Sequence, residues 1–316
     1  MTGLPPRLVL AAHLSVSAAG PRGRRIGSAP PRARLLEDLS AAAVAAVDRL
    51  AAGPCPTDAL THGDDEVAVL LAVLWRGGLL ADADVEDRVR RRRQSTLVEV
   101  RGDDALAVGV VTGLAMAGIG QLSPQVSGVT GADDIPAGLP VGPGRDRGAR
   151  LRAFLRDGGV DTDPPRRVPA DLVVLVGDGP VPPEGPVEHL FVTLRDGCGV
   201  VGPLVLPGRG PCAACAGVPG AARGRSSAAP HVLVATAAVA VGQVLAAVDG
   251  PVRGGRPPAS WGAALELDPE AATVVTRPGF VRPGCPCGTA TAGVPDGAPG
   301  STAPCATPPP GWTITV

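Results

Sequence analysis

One stretch restricts the fold more than any other. Residues 170–179, "ADLVVLVGDG", contain five consecutive apolar residues without polar alternation. A strand of this kind is buried on both faces, as in parallel sheets covered by helices. Strand patterns at 96–102, 188–197 and 198–208 alternate with helix patterns at 104–120, 145–159 and 229–250, and a hairpin is expected at 261–268 and 271–278. This alternation predicts an α/β fold, a Rossmann-like domain with a mixed sheet.

The first 94 residues form a different pattern and predict a small separate domain. Two strand patterns, "RLVLAAHLSVS" and "GRRIGS", precede two helix patterns, "ARLLEDLSAAAVAAVDRLAAG" and "DDEVAVLLAVLWRGGLL". A helix that stops at Gly-Gly-Leu-Leu after shorter helical stretches indicates a winged helix-turn-helix. We therefore expect a winged-helix-like domain at 1–94, the Rossmann-like domain at 95–288, and a disordered Pro/Gly/Ala-rich tail at 289–316.

The charge of the chain argues against nucleic-acid and membrane partners. The formal net charge is −1, and no apolar run is expected to reach the roughly 18–20 residues of a membrane span. One basic run, Arg88 with Arg90–Arg93, is best interpreted as a solvated helix face or linker, with a partner surface or nucleic-acid binding as alternatives. The first residues favour a strand over a signal peptide, so we expect a cytoplasmic protein.

The segment after the first strand of the Rossmann-like domain lacks a phosphate loop. Such a loop reads Gly-x-Gly-x-x-Gly, whereas Gly102 holds the first position here, Asp104 the second and Ala107 the third. Two carboxylates, Asp103 and Asp104, compete with phosphate for the helix N-terminus. We therefore expect that ATP does not bind.

Arginine is the sole basic side chain besides histidine, because all 29 Lys and Arg residues of the chain are arginines. No lysine can hold a phosphate or act as a base. Arg145 and Arg147 are the candidates for a degenerate nucleotide site, although they are equally typical of charges at a helix start.

Four of the seven cysteines form two close pairs on loops, Cys212 with Cys215 and Cys285 with Cys287. Two such pairs can supply the four thiolates of a closed, structural zinc site. Metal-free pairs and a redox pair are the alternatives.

The stretch "GVVGPLVLPGRGPCAACAG" resembles the pattern GP-x-V-x-PG-x-x-x-C-x-x-C of the ThiF-like adenylating superfamily. The branch it resembles is linked to cyclodehydratases of thiazole/oxazole-modified peptides (TOMMs), and the order of elements is similar over most of the chain. The resemblance implies zinc on Cys212, Cys215, Cys285 and Cys287, a homodimer, and a winged helix that binds a leader peptide as an added strand. It also implies ATP, a glycine loop and a lysine, of which Gly102 alone has a match.

These observations predict a non-adenylating, zinc-stabilised ThiF-like protein. It would recognise a peptide or protein partner, such as a cyclodehydratase subunit, in ribosomal peptide biosynthesis. An ATP-dependent adenylating or cyclodehydratase enzyme with a diverged nucleotide site is the alternative, and a DNA-binding regulator is a third.

Overall fold

The structure is a computed structural model that describes residues 3–30, 33–140, 142–163, 169–177, 185–209, 211–212, 215, 228–255 and 257–279. Its first part contains two small antiparallel sheets and four helices. One sheet consists of β1 (Arg7–Leu10), β5 (Cys55–Pro56) and β6 (Leu80–Asp82), and the other of β2 (Val16–Ala18), β3 (Arg24–Ile26) and β4 (Arg34–Leu36). The helices are α1 (Ala41–Ala52), α2 (Thr57–Thr61), α3 (Asp65–Arg76) and α4 (Ala83–Ser95). The assignment of this part as a winged helix stays a prediction.

The start of α1 corrects the sequence interpretation. The helix predicted from residue 33 begins at Ala41, where the Ser40 hydroxyl accepts a hydrogen bond from the Ala43 N–H at 3.2 Å. Asp38 has a φ of 54°, which ends the preceding extended segment in a turn. Residues Arg34–Leu36 therefore form β4 and pair with β3. Pairing with the preceding strand overrides a helical spacing that the residues themselves favour.

A seven-stranded mixed sheet forms the second part. Its strands are β7 (Leu97–Gly102), β8 (Gln121–Val126), β9 (Leu172–Val176), β10 (Glu188–Arg195), β11 (Cys198–Val205), β12 (Ala263–Asp268) and β13 (Thr273–Pro278), in the spatial order β13-β12-β11-β10-β9-β7-β8. The pairs β8–β7, β7–β9 and β9–β10 are parallel, and the remaining pairs are antiparallel. The mixed α/β architecture confirms the fold class predicted from the sequence.

The central strand β9 is buried on both faces, as its composition predicts. Val174 and Val176 join the large apolar core between the sheet and its helices, and Val173 and Leu175 pack with Phe191 on the other face. The helices of this part are α5 (Ala105–Met116), α6 (Arg147–Asp157) and α7 (Pro230–Arg253). Helix α7 packs against α5, β10 and β11.

Helix α7 overturns one expectation. An 18-residue window within it has a mean hydropathy of 2.0, so it is long and apolar enough to cross a membrane by length and composition. The sequence inspection missed it because Thr236, Gln243 and Asp249 interrupt the apolar run. Val232, Ala240 and Val244 are buried against the sheet and α5, as in the core helix of a soluble protein.

Helix α4 connects the two parts through its arginines. The Arg93 guanidinium donates to both carboxylate oxygens of Asp249 on α7, and Arg92 Nε donates to the Val248 carbonyl. Arg253 forms a bidentate pair with Glu86. Interpreting the whole arginine run as a solvated face was therefore wrong for Arg93, because its partner comes from a helix some 150 positions later, whereas Arg92 is exposed although its Nε donates to α7.

Candidate functional site

The sheet has a switch point between β7 and β9. The chain leaves β7 through α5 to β8 on one side, and later places β9 on the other side of β7. In open α/β sheets, ligands bind in the crevice at the carboxyl ends of such strands. Gly102 ends β7 there, Asp103 and Asp104 follow it, and Gly177 follows β9.

Gly102 is required by packing. A Cβ atom at this position would lie 2.7 Å from Ala107 Cβ, 3.2 Å from Val176 Cβ and 3.2 Å from the Val176 carbonyl oxygen. At 2.7 Å a neighbour would have to shift, and the two distances of 3.2 Å are tight, so the glycine allows α5 and β9 to approach the end of β7. Its predicted place in a degenerate nucleotide site stays a prediction.

Asp104 occupies the helix end where phosphate would bind. It is the N-cap of α5, and its Oδ1 accepts a hydrogen bond from the Ala107 N–H at 3.0 Å. Burial raises the pKa of Asp104, and the negative charge of Asp103 raises it further, against the opposing effect of the Ala107 amide. A Cβ atom at Gly177 would lie 3.8 Å from an oxygen of each carboxylate, so both acids border the end of β9. The crevice is therefore acidic.

Arg147 lies beside this crevice, and its guanidinium is turned inward. Nε donates to Asp134 Oδ1 at 2.8 Å and Nη2 to Asp134 Oδ2 at 3.3 Å, and the Asp134 side chain is fully buried. Nη1 donates to the carbonyls of Asp103 and Ser127, which follow β7 and β8. Arg147 thus fixes the two loops that border the crevice, and most of its donors already have acceptors.

Arg145 does not converge with Arg147. It is exposed, its main-chain N–H donates to Thr130 Oγ1 at 3.1 Å, and its side chain lines a shallow depression with Asp146, Ala149 and Arg150. The two candidates for phosphate binding therefore have different environments, one internal and one at the surface.

Half of the predicted zinc site lies within the described residues. Cys215 is buried, with 6% of its surface exposed, and Cys212 is half-buried. Cys285 and Cys287 lie outside the described residues. Among the residues that are described, no group of three or more His, Cys, Asp or Glu side chains could hold a metal ion. The donor chemistry suits Zn²⁺, which binds thiolates in closed structural sites.

The path of the chain allows the two cysteine pairs to meet. A Cβ atom at Gly279 would lie 3.5 Å from Pro211 Cγ, so the chain leaves β13 beside the residue that precedes Cys212. Cys285 follows Gly279 by six positions, and an extended chain of that length spans at most about 20 Å. The two pairs supply the donor type and number of a closed zinc site, and the site itself stays a prediction.

A second candidate site, the N-terminal groove, lies on the outer face of the sheet β2-β3-β4. Arg25 pairs with Ser17 on one side and with Leu35 on the other, and Leu35 is 55% exposed. The groove is lined by Ser17, Ala18, Ala19, Arg25, Pro30, Ala33 and Leu35. Its strand β4 has no neighbour on its outer side among the described residues.

Helix α3 carries two exposed apolar residues. Val69 and Val73, one helical turn apart, are 63% and 51% exposed. The Ser40 N–H donates to Glu66 Oε1 at 3.4 Å, so the first turn of α3 lies beside the chain as it leaves β4. The sequence interpretation missed Leu35 because it assigned residues 34–36 to a helix.

Comparison with known proteins identifies the fold. No family model and no curated protein matches the chain. Among solved structures, the E. coli MccB complex with ATP covers 89% of this chain and 100% of its own, at 14% identity and a TM-score of 0.64. The Microcin C7 biosynthetic enzyme MccB in complex with N-formylated MccA gives the same coverage and identity with a TM-score of 0.65. A heterocyclase in complex with substrate and cofactor covers 90% of this chain and 40% of its own, at 14% identity and a TM-score of 0.55.

Similarity at 14% identity establishes the fold. It extends over nine-tenths of the chain and thus includes both the N-terminal part and the seven-stranded sheet. The resemblance seen in the sequence is confirmed at this level: the chain has the fold of the ThiF/MoeB-like enzymes, of which MccB is one.

Proposed function

We propose that this protein recognises a peptide for a separate modifying enzyme in ribosomal peptide biosynthesis, and that it does not adenylate that peptide. The observation that carries the proposal is the acidic crevice. Asp103 and Asp104 occupy the N-terminus of α5, where the phosphates of a nucleotide would otherwise bind. Asp134 accepts from two donors of Arg147, and the charge of this arginine opposes the raised pKa of Asp104 without reversing it.

The N-terminal groove is the proposed peptide site. An extended peptide can add to the open edge of β4 through main-chain hydrogen bonds, with side-chain contacts providing selectivity. Leu35 offers an apolar contact in the groove, and Arg25 offers a cation with no ion-pair partner among the described residues. A leader that alternates apolar and acidic residues fits this surface. The MccB structure that contains MccA supports a peptide partner for this fold.

The remaining parts of the proposal follow from the resemblance. Zinc held by Cys212, Cys215, Cys285 and Cys287 would fasten the segment after β13 to the loop after β11. The two-part organisation, a homodimer and an enzyme partner of the cyclodehydratase type belong to the same proposal.

Peptide titration tests the proposed function. Synthetic leader peptides encoded beside this chain's own gene are titrated calorimetrically into the full chain. We expect micromolar binding that Leu35→Asp abolishes and that Met116→Asp, a change at a 90% exposed residue on α5, leaves intact. Equal binding by both variants would place the peptide elsewhere, and no binding by any candidate would contradict peptide recognition.

An ATP-dependent enzyme with a diverged site is the second candidate, favoured by the structure of MccB with ATP. Pyrophosphate exchange in the presence of the bound peptide separates the two. We expect no exchange and no shift of the melting temperature with Mg-ATP. Exchange above the protein-free background would establish the second candidate instead.

A further inference from the structure

The seven-stranded sheet ends at β13, whose outer side is unpaired among the described residues. All six residues of β13 are exposed, including Val274 at 53% and Val275 at 40%. Alternate residues of this strand direct their N–H and C=O groups away from β12, because the antiparallel ladder engages only the others. A long exposed edge with apolar side chains is a template for another strand.

The opposite edge of the same sheet is protected by the chain itself. The Leu122 N–H of β8 donates to the Asp161 carbonyl at 2.9 Å, and the Asp161 N–H donates to the Gly120 carbonyl at 3.2 Å. Gln121 also forms a parallel bridge with Asp161. The fold thus covers one edge with its own backbone, and β13 lacks such cover among the described residues.

The C-terminal sequence supplies a candidate cover. The chain continues beyond Gly279 to Val316, and the Gly279 N–H donates to the Gly262 carbonyl at 2.8 Å, so this continuation begins at one end of β13. Residues 289–311 consist mainly of Ala, Thr, Gly and Pro, whereas the last five residues read Trp-Thr-Ile-Thr-Val. Strict alternation of large apolar residues with β-branched threonine is a strand pattern.

We propose that residues 312–316 bind β13 of the same chain as an eighth strand, with residues 289–311 as the linker. The added strand forms hydrogen bonds with the outward N–H and C=O groups of β13. Val274 and Val275 lie on opposite faces of β13, and Trp312, Ile314 and Val316 cover whichever of the two shares their face. Residues 280–311 connect β13 to Trp312, and a Gly-rich chain of that length, 32 residues, has a root-mean-square end-to-end distance of about 30 Å, against about 20 Å for a six-residue strand. The linker therefore reaches the edge, and the tether gives an effective concentration in the millimolar range.

Charge favours the chain's own end over a charged foreign peptide. Arg277 on β13 is paired with Glu266 on β12 at 2.9 Å, so this edge presents little net charge. The last five residues carry no charged side chain. The two surfaces match in both apolar character and neutrality.

Hydrogen exchange of the full chain, followed by mass spectrometry, tests the proposal. Ile314→Pro removes an N–H and breaks the strand pattern, and Ala303→Pro makes the same replacement in the linker. We expect the amides of residues 273–277 to exchange about tenfold faster in Ile314→Pro than in the natural chain, and Ala303→Pro to match the natural chain. Equal exchange in all three proteins would overturn the proposal.

Dilution distinguishes pairing within a chain from exchange between copies. We expect the protection of residues 273–277 to be the same at 1 and 100 µM protein, concentrations chosen to span about two decades, because the contact is intramolecular. Protection that disappears on dilution would overturn the proposal in favour of a second copy.

Discussion

At the scale of single residues, the crevice is defined by carboxylates and by the one arginine that fixes its border. Asp104 combines a structural role with an electrostatic cost, since it caps α5 although burial disfavours its charge. The charge of Arg147 is favourable instead, because it balances the charge of the buried Asp134. Its N–H groups also join the loops after β7 and β8 by donating to the carbonyls of Asp103 and Ser127. Both side chains stabilise the border of the crevice, and neither is arranged for phosphate.

Replacing Asp104 by Asn is expected to raise the free energy of unfolding at pH 7. The folded-state pKa is raised, so the ionised carboxylate costs stability above the unfolded-state pKa of about 3.9, and this cost is absent below it. Asn caps a helix as well as Asp does. The gain in urea midpoint should therefore shrink as the pH falls from 7 toward 4. Asp146→Asn, at the exposed N-cap of α6, is the control and should change little. A gain independent of pH would contradict the assignment.

Replacing Arg147 by Gln is expected to lower the free energy of unfolding by about 3–5 kcal/mol, because the fully buried Asp134 loses its counter-charge. Arg156 forms an exposed pair with Asp163 at 3.3 Å, and Arg156→Gln should cost no more than about 0.5 kcal/mol. Chemical denaturation of the two variants measures both values. Similar small losses would show that the Arg147 contacts contribute little.

At the scale of elements, close approach between backbones shapes the region around the crevice. Helix α5 and strand β9 meet the end of β7 at Gly102, and α5 meets α7 at Gly109, where a Cβ atom would lie 3.0 Å from Ala237 Cβ. The sequence predicted each of these elements from periodicity. It could not predict which glycines lie at contacts, because a glycine needed for packing and one needed for phosphate look the same in a sequence.

Alanine at two glycines should have opposite effects on stability. Gly102→Ala places a Cβ atom 2.7 Å from Ala107 Cβ and should cost about 1–3 kcal/mol. Gly242 lies within α7 with nothing within 4 Å of an added Cβ atom, so Gly242→Ala should gain about 0.5–1 kcal/mol from helix propensity. Thermal and urea unfolding check both signs. A neutral Gly102→Ala would mean that the end of β7 can relax.

At the scale of the whole molecule, long-range ties hold the two parts and the chain end in place. Arg93 and Asp249 join α4 to α7, and Pro211 contacts the residues that bracket the last hairpin. The proposed zinc would add a covalent tie at the latter position. Each tie joins residues that are far apart in the chain.

One zinc ion per chain is expected by elemental analysis of freshly purified protein. Cys215→Ser should lose the metal and lower the free energy of unfolding by several kcal/mol, since structural zinc contributes folding energy directly. Cys198 lies at the start of β11 outside the two pairs, and Cys198→Ser should keep the metal. Metal-free natural protein would refute the site, and full zinc in Cys215→Ser would remove this cysteine from it.

The sequence by itself determined the fold class. Five consecutive apolar residues at 172–176 require a strand covered on both faces, and alternating strand and helix periods require an α/β sheet, because side-chain burial follows local periodicity. The replacement of glycines by Asp104 and Ala107, and the absence of lysine, were equally visible. Tertiary structure decided where these residues meet. It turned Arg147 toward Asp134, joined Arg93 to Asp249, made residues 34–36 a strand and exposed Leu35. Such contacts depend on partners outside the segment itself, from the neighbouring strand in β4 to a helix far along the chain for Arg93, and local periodicity carries no record of them.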